Sequence, residues 1–126
     1  MATIKRFEDL VAWQKADALS KLVNQVSDRP AWNRDWGLRG QIRESANSVA
    51  ANIAEGFNSG LDGEFRRYLR IAKSSAGETR NHAYKAAVPS YLTADEQTQI
   101  CELSVECEKL IQGLINYLTK ALAAKS

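Results

Sequence analysis

Apolar side chains recur at steps of three and four along most of the chain, which is the period of an amphipathic α-helix. Short segments rich in Pro, Gly, Asn and Ser separate four such stretches. No alternating apolar and polar segment of useful length is present, so we expect no sheet. The pattern predicts a single all-α domain over residues 1–126, folded as an antiparallel up-down four-helix bundle. The predicted helices span about 7–27, 36–56, 61–87 and 94–122.

The second predicted helix carries two lines of side chains that lie next to each other on one face. The first line is apolar and includes Leu38, Ile42, Val49 and Ile53. The second line, the polar seam, has short amides and hydroxyls where a solvated face would carry Lys, Glu and Arg. It consists of Gln41, Ser45, Ser48, Asn52 and Glu55. We interpret it as hydrogen-bonding residues within or between subunits, and the alternative is a ligand site at Asn52 and Glu55.

The fourth predicted helix has two apolar lines, although one line per helix is enough for a bundle. The first line is a heptad pattern made of Ile100, Leu103, Cys107, Leu110, Leu114, Tyr117 and Ala121. The second line is made of Ile111, Ile115, Leu118 and Leu122. The second line either widens the core or forms an exposed apolar patch of the kind that marks an interface. We expect a homo-oligomer in which this line contacts another subunit.

Local sequence motifs indicate two helix caps and two tryptophans that could close the end of the core. Asp35 is a candidate N-cap for the second helix, and Thr93 with Glu96 has the form of a capping box for the fourth. Trp32 and Trp36, in the loop before the second helix, are expected to close the end of the core, and the alternative is a ligand platform.

The net charge of +2 is too small to indicate a partner by itself, but the charge is unevenly distributed. The third helix has six Lys or Arg against three acids, and the fourth has two against five. Four cations of the third helix lie within about 80° on the helical wheel. The candidate nucleic-acid-binding residues are Arg66, Arg70, Lys73 and Arg80, with Arg39 and Arg43 on the second helix. The alternative is a solvated face that pairs with acidic neighbours.

The residues needed for catalysis or metal binding are not found together in the sequence. His82 is the only histidine, with Glu78 four residues before it, which is too few ligands for a metal site of a helical bundle. We therefore expect that the protein is not an enzyme and has no cofactor. Cys101 and Cys107 are expected to be reduced thiols. The absence of a long apolar segment or a signal-peptide core leads us to expect a cytoplasmic protein without a membrane partner.

Several strings of residues resemble the bacterial four-helix bundle protein family that is encoded in intervening sequences of 23S ribosomal RNA genes, also called the S23 ribosomal protein family. They are FEDLVAWQ at 7–14, NIAEG at 52–56 and FRRYLRIA at 65–72. The chain departs from the family at Ala50, where the family tends to have Pro, and at Ala76-Gly77. The resemblance implies an up-down bundle that assembles as a ring-like homopentamer, with no established enzymatic activity. A more distant resemblance is to the accessory proteins of diversity-generating retroelements, which implies a reverse transcriptase and nucleic acid as partners.

Two hypotheses of function follow. The first is a non-catalytic oligomeric protein that binds RNA or DNA without sequence preference through its basic helix face. The second is a protein–protein scaffold that binds no nucleic acid. Salt-dependent binding to nucleic acid separates the two.

Overall fold

Four α-helices account for most of residues 4–125, the part of the chain that the computed structural model describes. The helices are α1 (Val11–Val26), α2 (Trp36–Asn58), α3 (Asp62–Ala87) and α4 (Ala94–Lys125), and short 3₁₀ helices span Phe7–Asp9 and Pro30–Arg34. No strand occurs within residues 4–125. The prediction of an all-α fold with four helices is therefore confirmed.

The helix ends differ from the predicted ones by a few residues, and most visibly at the start of α1. The predicted first helix began at Phe7, but Leu10 is extended, with φ −74° and ψ 126°, and separates the 3₁₀ helix from α1. At the other end of the chain, α4 continues to Lys125, three residues beyond the prediction. Lys125, the last residue of α4, donates to the Asp62 carboxylate at the start of α3, at 3.0 Å.

Both predicted helix caps are present. The Asp35 carboxylate accepts a hydrogen bond from the Leu38 N–H at 3.0 Å, which satisfies one free donor at the start of α2. The Thr93 hydroxyl accepts from the Glu96 N–H at 3.1 Å, and the Glu96 carboxylate accepts from the Thr93 N–H at 2.9 Å. This reciprocal pair is a capping box.

One tryptophan of the loop before α2 closes the core, and the other does not. Trp32 is completely buried, with its ring 5.4 Å from that of Tyr91 in the connection between α3 and α4. Trp36 is 63% exposed, and the Arg39 guanidinium lies 4.7 Å from its ring centre. Of the two tryptophans expected to close the end of the core, only Trp32 does so.

The buried positions of α4 follow the heptad line in the first half of the helix and the second line in the second half. Ile111, Ile115 and Leu118 are buried in the core of the single chain, and Leu122 is half-buried. A side chain buried within one chain cannot contact another, so the prediction that this line forms a subunit interface is wrong. The heptad line is buried at Ile100 and Cys107, and the rest of it is half-buried or exposed. These less buried residues are Leu103, Leu110, Leu114, Tyr117 and Ala121.

Side-chain contacts define how α3 and α4 lie against each other. Arg66 near the start of α3 donates to Thr119 near the end of α4, at 3.3 Å. Further along α3, Arg80 lies 2.8 Å from Glu108, which is in the middle of α4. The first turns of α3 therefore lie beside the last turns of α4.

Candidate nucleic-acid interface

Three cations of α3, which we name the basic row, lie on the side of the helix that meets α4. Arg66 donates to the Thr119 hydroxyl at 3.3 Å, and Lys73 donates to the Gln112 side-chain carbonyl at 2.7 Å. Arg70 lies between them, is exposed, and has no polar partner within the described residues. Because these hydrogen-bond partners are neutral, the basic row keeps its three positive charges uncompensated.

The fourth predicted member of this surface, Arg80, is in a different electrostatic environment. Its guanidinium is 2.8 Å from the Glu108 carboxylate, and both side chains are partly buried. A groove of about 520 Å³ begins beside this pair. It is lined by Arg80, Tyr84, Cys101, Glu102, Val105, Glu106 and Lys109. Arg80 is thus ion-paired and lies among acidic residues, so we do not count it in the basic row.

Arg39 and Arg43 of α2 are directed at the end of α1. Arg39 donates to the Ser27 carbonyl at 2.9 Å, and its own side chain is only 14% exposed. Arg43 donates to the Ser27 hydroxyl at 2.7 Å and to the Asn24 carbonyl at 3.2 Å. Cations at a helix C-terminus satisfy its free carbonyls and favour its dipole. These two residues therefore tie α1 to α2 and lie outside the basic row.

The charges of α3 and α4 are segregated along the helices. We define the basic half as residues 62–73 of α3 with residues 109–125 of α4, and it contains seven Lys or Arg against two acids. The acidic half, residues 74–87 and 94–108, contains two Lys or Arg against six acids. Both acids of the basic half are already paired, Asp62 with Lys125 and Glu64 with Arg67. An excess of positive charge therefore collects on one half of this face.

Sequence reasoning missed the contribution of α4 to the basic half, because it counted charge over whole helices. Lys120 is exposed, follows the Arg66 partner Thr119 in the sequence with its side chain about 100° away on the helical wheel, and has no polar partner within residues 4–125. The signal was available, since the sequence from Lys109 to Lys125 contains three lysines and no acid.

The polar seam faces α3 of the same chain. Ser48 and Ser75 share a hydrogen bond of 2.9 Å between their hydroxyls, and buried Thr79 donates to buried Ser45 at 2.9 Å. Asn52 donates to the Ser48 carbonyl and hydroxyl, at 2.8 and 2.9 Å. The interpretation as hydrogen-bonding residues within a subunit therefore agrees with these contacts.

Gln41 and Glu55 mark the two exposed ends of the polar seam. Glu55 accepts a 3.4 Å hydrogen bond from the Tyr68 hydroxyl, and Gln41 is at the mouth of a polar groove of about 420 Å³. This groove is lined by Gln41, Glu44, Ser45, Ser48, Ser75, Glu78 and His82. Burial lowers the pKa of His82, and the nearby Glu78 carboxylate only partly offsets this effect.

The thiols and carboxylates are not arranged as a reactive centre in the described part of the chain. Cys107 is buried, and burial raises its pKa to about 12, so it is a thiol rather than a nucleophilic thiolate at neutral pH. Burial also raises the pKa of the half-buried Cys101. Within residues 4–125, no three His, Cys, Asp or Glu side chains are grouped so that they could hold a metal ion. None of the helices in that range is long and apolar enough to cross a bilayer.

These features define a four-helix protein with a charged helix face rather than a reactive pocket. A family model described as "23S rRNA-intervening sequence protein" matches residues 8–113, and the chain belongs to this family. The resemblance noted in the sequence is thereby confirmed.

One similar solved structure is a protein with unknown function from the S23 ribosomal protein family of Bacteroides thetaiotaomicron. It is 25% identical to this chain, with a TM-score of 0.75, and the alignment covers 83% of this chain and 98% of that one. No curated protein matches the chain.

Proposed function

We propose that this protein is a non-catalytic, cytoplasmic helical-bundle protein that binds RNA or DNA through backbone phosphates at its basic half. The observation that carries the proposal is the basic row, in which Arg66, Arg70 and Lys73 have only neutral partners or none. Phosphate contacts by Lys and Arg release condensed counterions, and this term supplies most of non-specific affinity. We expect dissociation constants of about 10⁻⁴ to 10⁻⁶ M per chain at physiological salt.

Self-association is the second part of the proposal. We propose an antiparallel up-down bundle that forms a ring-like homo-oligomer, and the family resemblance favours a pentamer. The less buried line of α4 supports this, because Leu110 and Leu114 line a strongly apolar groove of about 340 Å³ beside the start of α1. Several copies of the basic half on one particle would raise its affinity for a long polyanion through effective concentration.

Fluorescence anisotropy with two unrelated labelled oligonucleotides, over a series of salt concentrations, tests the first part. The variant Arg70→Gln/Lys120→Gln removes two exposed, unpaired charges from the basic half. We expect weaker binding to both oligonucleotides alike and a salt dependence shallower by about two phosphate contacts.

The matched control is Lys21→Gln/Lys85→Gln, which removes two exposed cations outside the basic half. If the control weakens binding as much as the test variant, net charge rather than the basic half is responsible. If the wild-type protein binds neither oligonucleotide even at low salt, the nucleic-acid proposal is wrong and the scaffold hypothesis replaces it.

Sedimentation velocity at micromolar concentration tests self-association. We expect a species much larger than one 14.0 kDa chain. A monomer would contradict the oligomer, and a dimer would contradict the pentamer. A reverse transcriptase is a further candidate partner, which co-purification with such an enzyme would test.

A further inference from the structure

We infer that the nucleic acid bound at the basic half is a duplex, contacted along its phosphates, rather than a single strand. The inference rests on the proposed function, because it names the class of nucleic acid that the same surface takes. Three features of the surface support it: the fixed positions of the cations, the place of the exposed aromatic rings, and the charge around the basic row.

Two of the three cations of the basic row, Arg66 and Lys73, are held in place by α4. The Gln112 carbonyl that receives Lys73 belongs to an amide that donates to Asn116 at 2.9 Å, so the lysine is part of a chain of three polar side chains. Thr119, the partner of Arg66, also donates to the Ile115 carbonyl at 2.8 Å. Arg66 and Lys73 are seven residues apart on a straight helix, which places their Cα atoms about 10.5 Å apart. Such a fixed row matches a polyanion whose phosphates also have fixed positions.

Exposed aromatic rings lie away from the basic row. Proteins that bind single strands combine a basic groove with aromatic side chains on which successive bases stack, at about 1–3 kcal/mol per base. The large aromatic side chains that are well exposed are Trp36, Tyr84 and Tyr117. Tyr84 belongs to the groove with Glu102 and Glu106, and Trp36 is covered on one side by Arg39.

Tyr117 is in the basic half along the chain and about 60° from Lys120 on the helical wheel, but it leaves α4 on a different side from the residues that meet the basic row. It is two residues from Thr119, so their side chains leave α4 about 160° apart. Tyr117 lines the groove between α4 and the connection of α2 and α3, together with Leu61 and Phe57. Within residues 4–125, the unstacked bases of a single strand would therefore find no well-exposed ring beside Arg66, Arg70 and Lys73.

The higher charge density of a duplex also favours it over a single strand as the ligand. B-DNA carries one charge per about 1.7 Å of its axis, and the salt slope per phosphate contact is about 0.9, against about 0.7 for single strands. Where binding is purely electrostatic, the polyanion of higher charge density releases more counterions and binds more tightly. A duplex also presents its phosphates on the outside, so a row of cations on a helix reaches them without any base leaving the stack.

The experiment compares a labelled 16-base-pair RNA duplex, a DNA duplex of the same sequence, and one component strand chosen to lack self-pairing. Anisotropy titrations of the wild-type protein are run from low to physiological salt. We expect both duplexes to bind at least about fivefold more tightly than the single strand at low salt. The salt slopes should stand in a ratio close to 0.9 to 0.7.

The variant Tyr117→Ala provides the second arm. If the contacts are to phosphates alone, this change leaves the affinity for all three probes unaltered. Equal or tighter binding of the single strand, or a selective loss of single-strand affinity in Tyr117→Ala, would overturn the inference and leave the proposed function standing. The absence of binding to any of the three probes would overturn the proposed function itself.

Discussion

Gly56, the last residue of the NIAEG string, packs directly against α3. A Cβ atom at this position would be 2.7 Å from the Tyr68 Cβ and 3.2 Å from the Phe65 Cα, which is a backbone atom. Neither neighbour can move aside without a shift of α3. We expect Gly56→Ala to lower the free energy of unfolding by about 1–3 kcal/mol, the usual cost of overpacking, although Ala is the better helix former. Urea denaturation followed by circular dichroism measures this change.

Gly40→Ala is the matched control on the same helix. No atom lies within 4 Å of a Cβ built at Gly40, so only helix propensity changes. The control should raise the free energy of unfolding, by up to about 1 kcal/mol. If both variants shift stability in the same direction, close packing of α2 on α3 is not the reason for the glycine.

At the scale of single residues, the sequence predicted the caps and the polar seam better than the free cations. Asp35 and Glu96 were recognisable because a cap depends only on neighbours along the chain. The difference between Arg70, which is exposed, and Arg43, which holds the end of α1, depends on contacts with another helix. The spacing of residues along the chain does not indicate which cation already has a partner within the fold.

The start of α4 has an electrostatic link to the loop after α1. The Arg29 guanidinium donates to the Glu96 carboxylate at 2.6 Å and to the Tyr91 carbonyl at 2.9 Å. Burial alone would raise the pKa of Glu96, but its hydrogen bonds with Thr93 and Arg29 outweigh burial and lower it. Because the folded pKa lies below the unfolded one, the charged carboxylate stabilises the fold above the unfolded pKa. That stabilisation is lost as pH falls through the folded pKa.

We expect Glu96→Gln, which keeps a hydrogen-bond acceptor but removes the charge, to lower stability at pH 7 by about 0.5–1 kcal/mol. The difference from wild type should shrink toward zero as pH falls below the folded pKa of Glu96. Thermal unfolding between pH 7 and pH 3 measures it. Asp95→Asn removes one negative charge from the same first turn. If it gives the same pH profile, the pairing with Arg29 is not the cause.

At the scale of helices, the apolar pattern predicted the existence and approximate ends of all four, but it did not show that the core changes from the heptad line to the second line within α4. Both lines are apolar, and Leu110 and Ile111 are adjacent residues whose side chains leave the helix about 100° apart. The rotation of α4 about its axis is set by packing against α1 and α3 together. Ile111 is buried in the core of the bundle, and Leu110 lies at the edge of a groove beside α1. Hydrophobic pattern alone does not distinguish these two rotations.

At the scale of the whole molecule, the fold produces a charge pattern that is not visible when charges are counted helix by helix. The positive start of α3 is brought beside the acid-free end of α4, and the negative start of α4 lies beside the later turns of α3. One face thus has two halves of opposite sign. Under the proposed function, the acidic half would repel a polyanion and so limit how much of the face a nucleic acid can cover.

Neutralising the acidic half should therefore increase affinity for nucleic acid. Glu102 and Glu106 are exposed, and the Lys15 pairing of Glu106 at 3.4 Å is on the surface, so Glu102→Gln/Glu106→Gln should leave stability nearly unchanged. We expect duplex affinity at low salt to rise roughly two- to fivefold, and the gain to disappear at high salt where charges are screened. Glu44→Gln/Glu55→Gln removes the same charge from α2, which contributes no residue to the acidic half. An equal gain in that control would mean that net charge, and not the segregation along α3 and α4, governs binding.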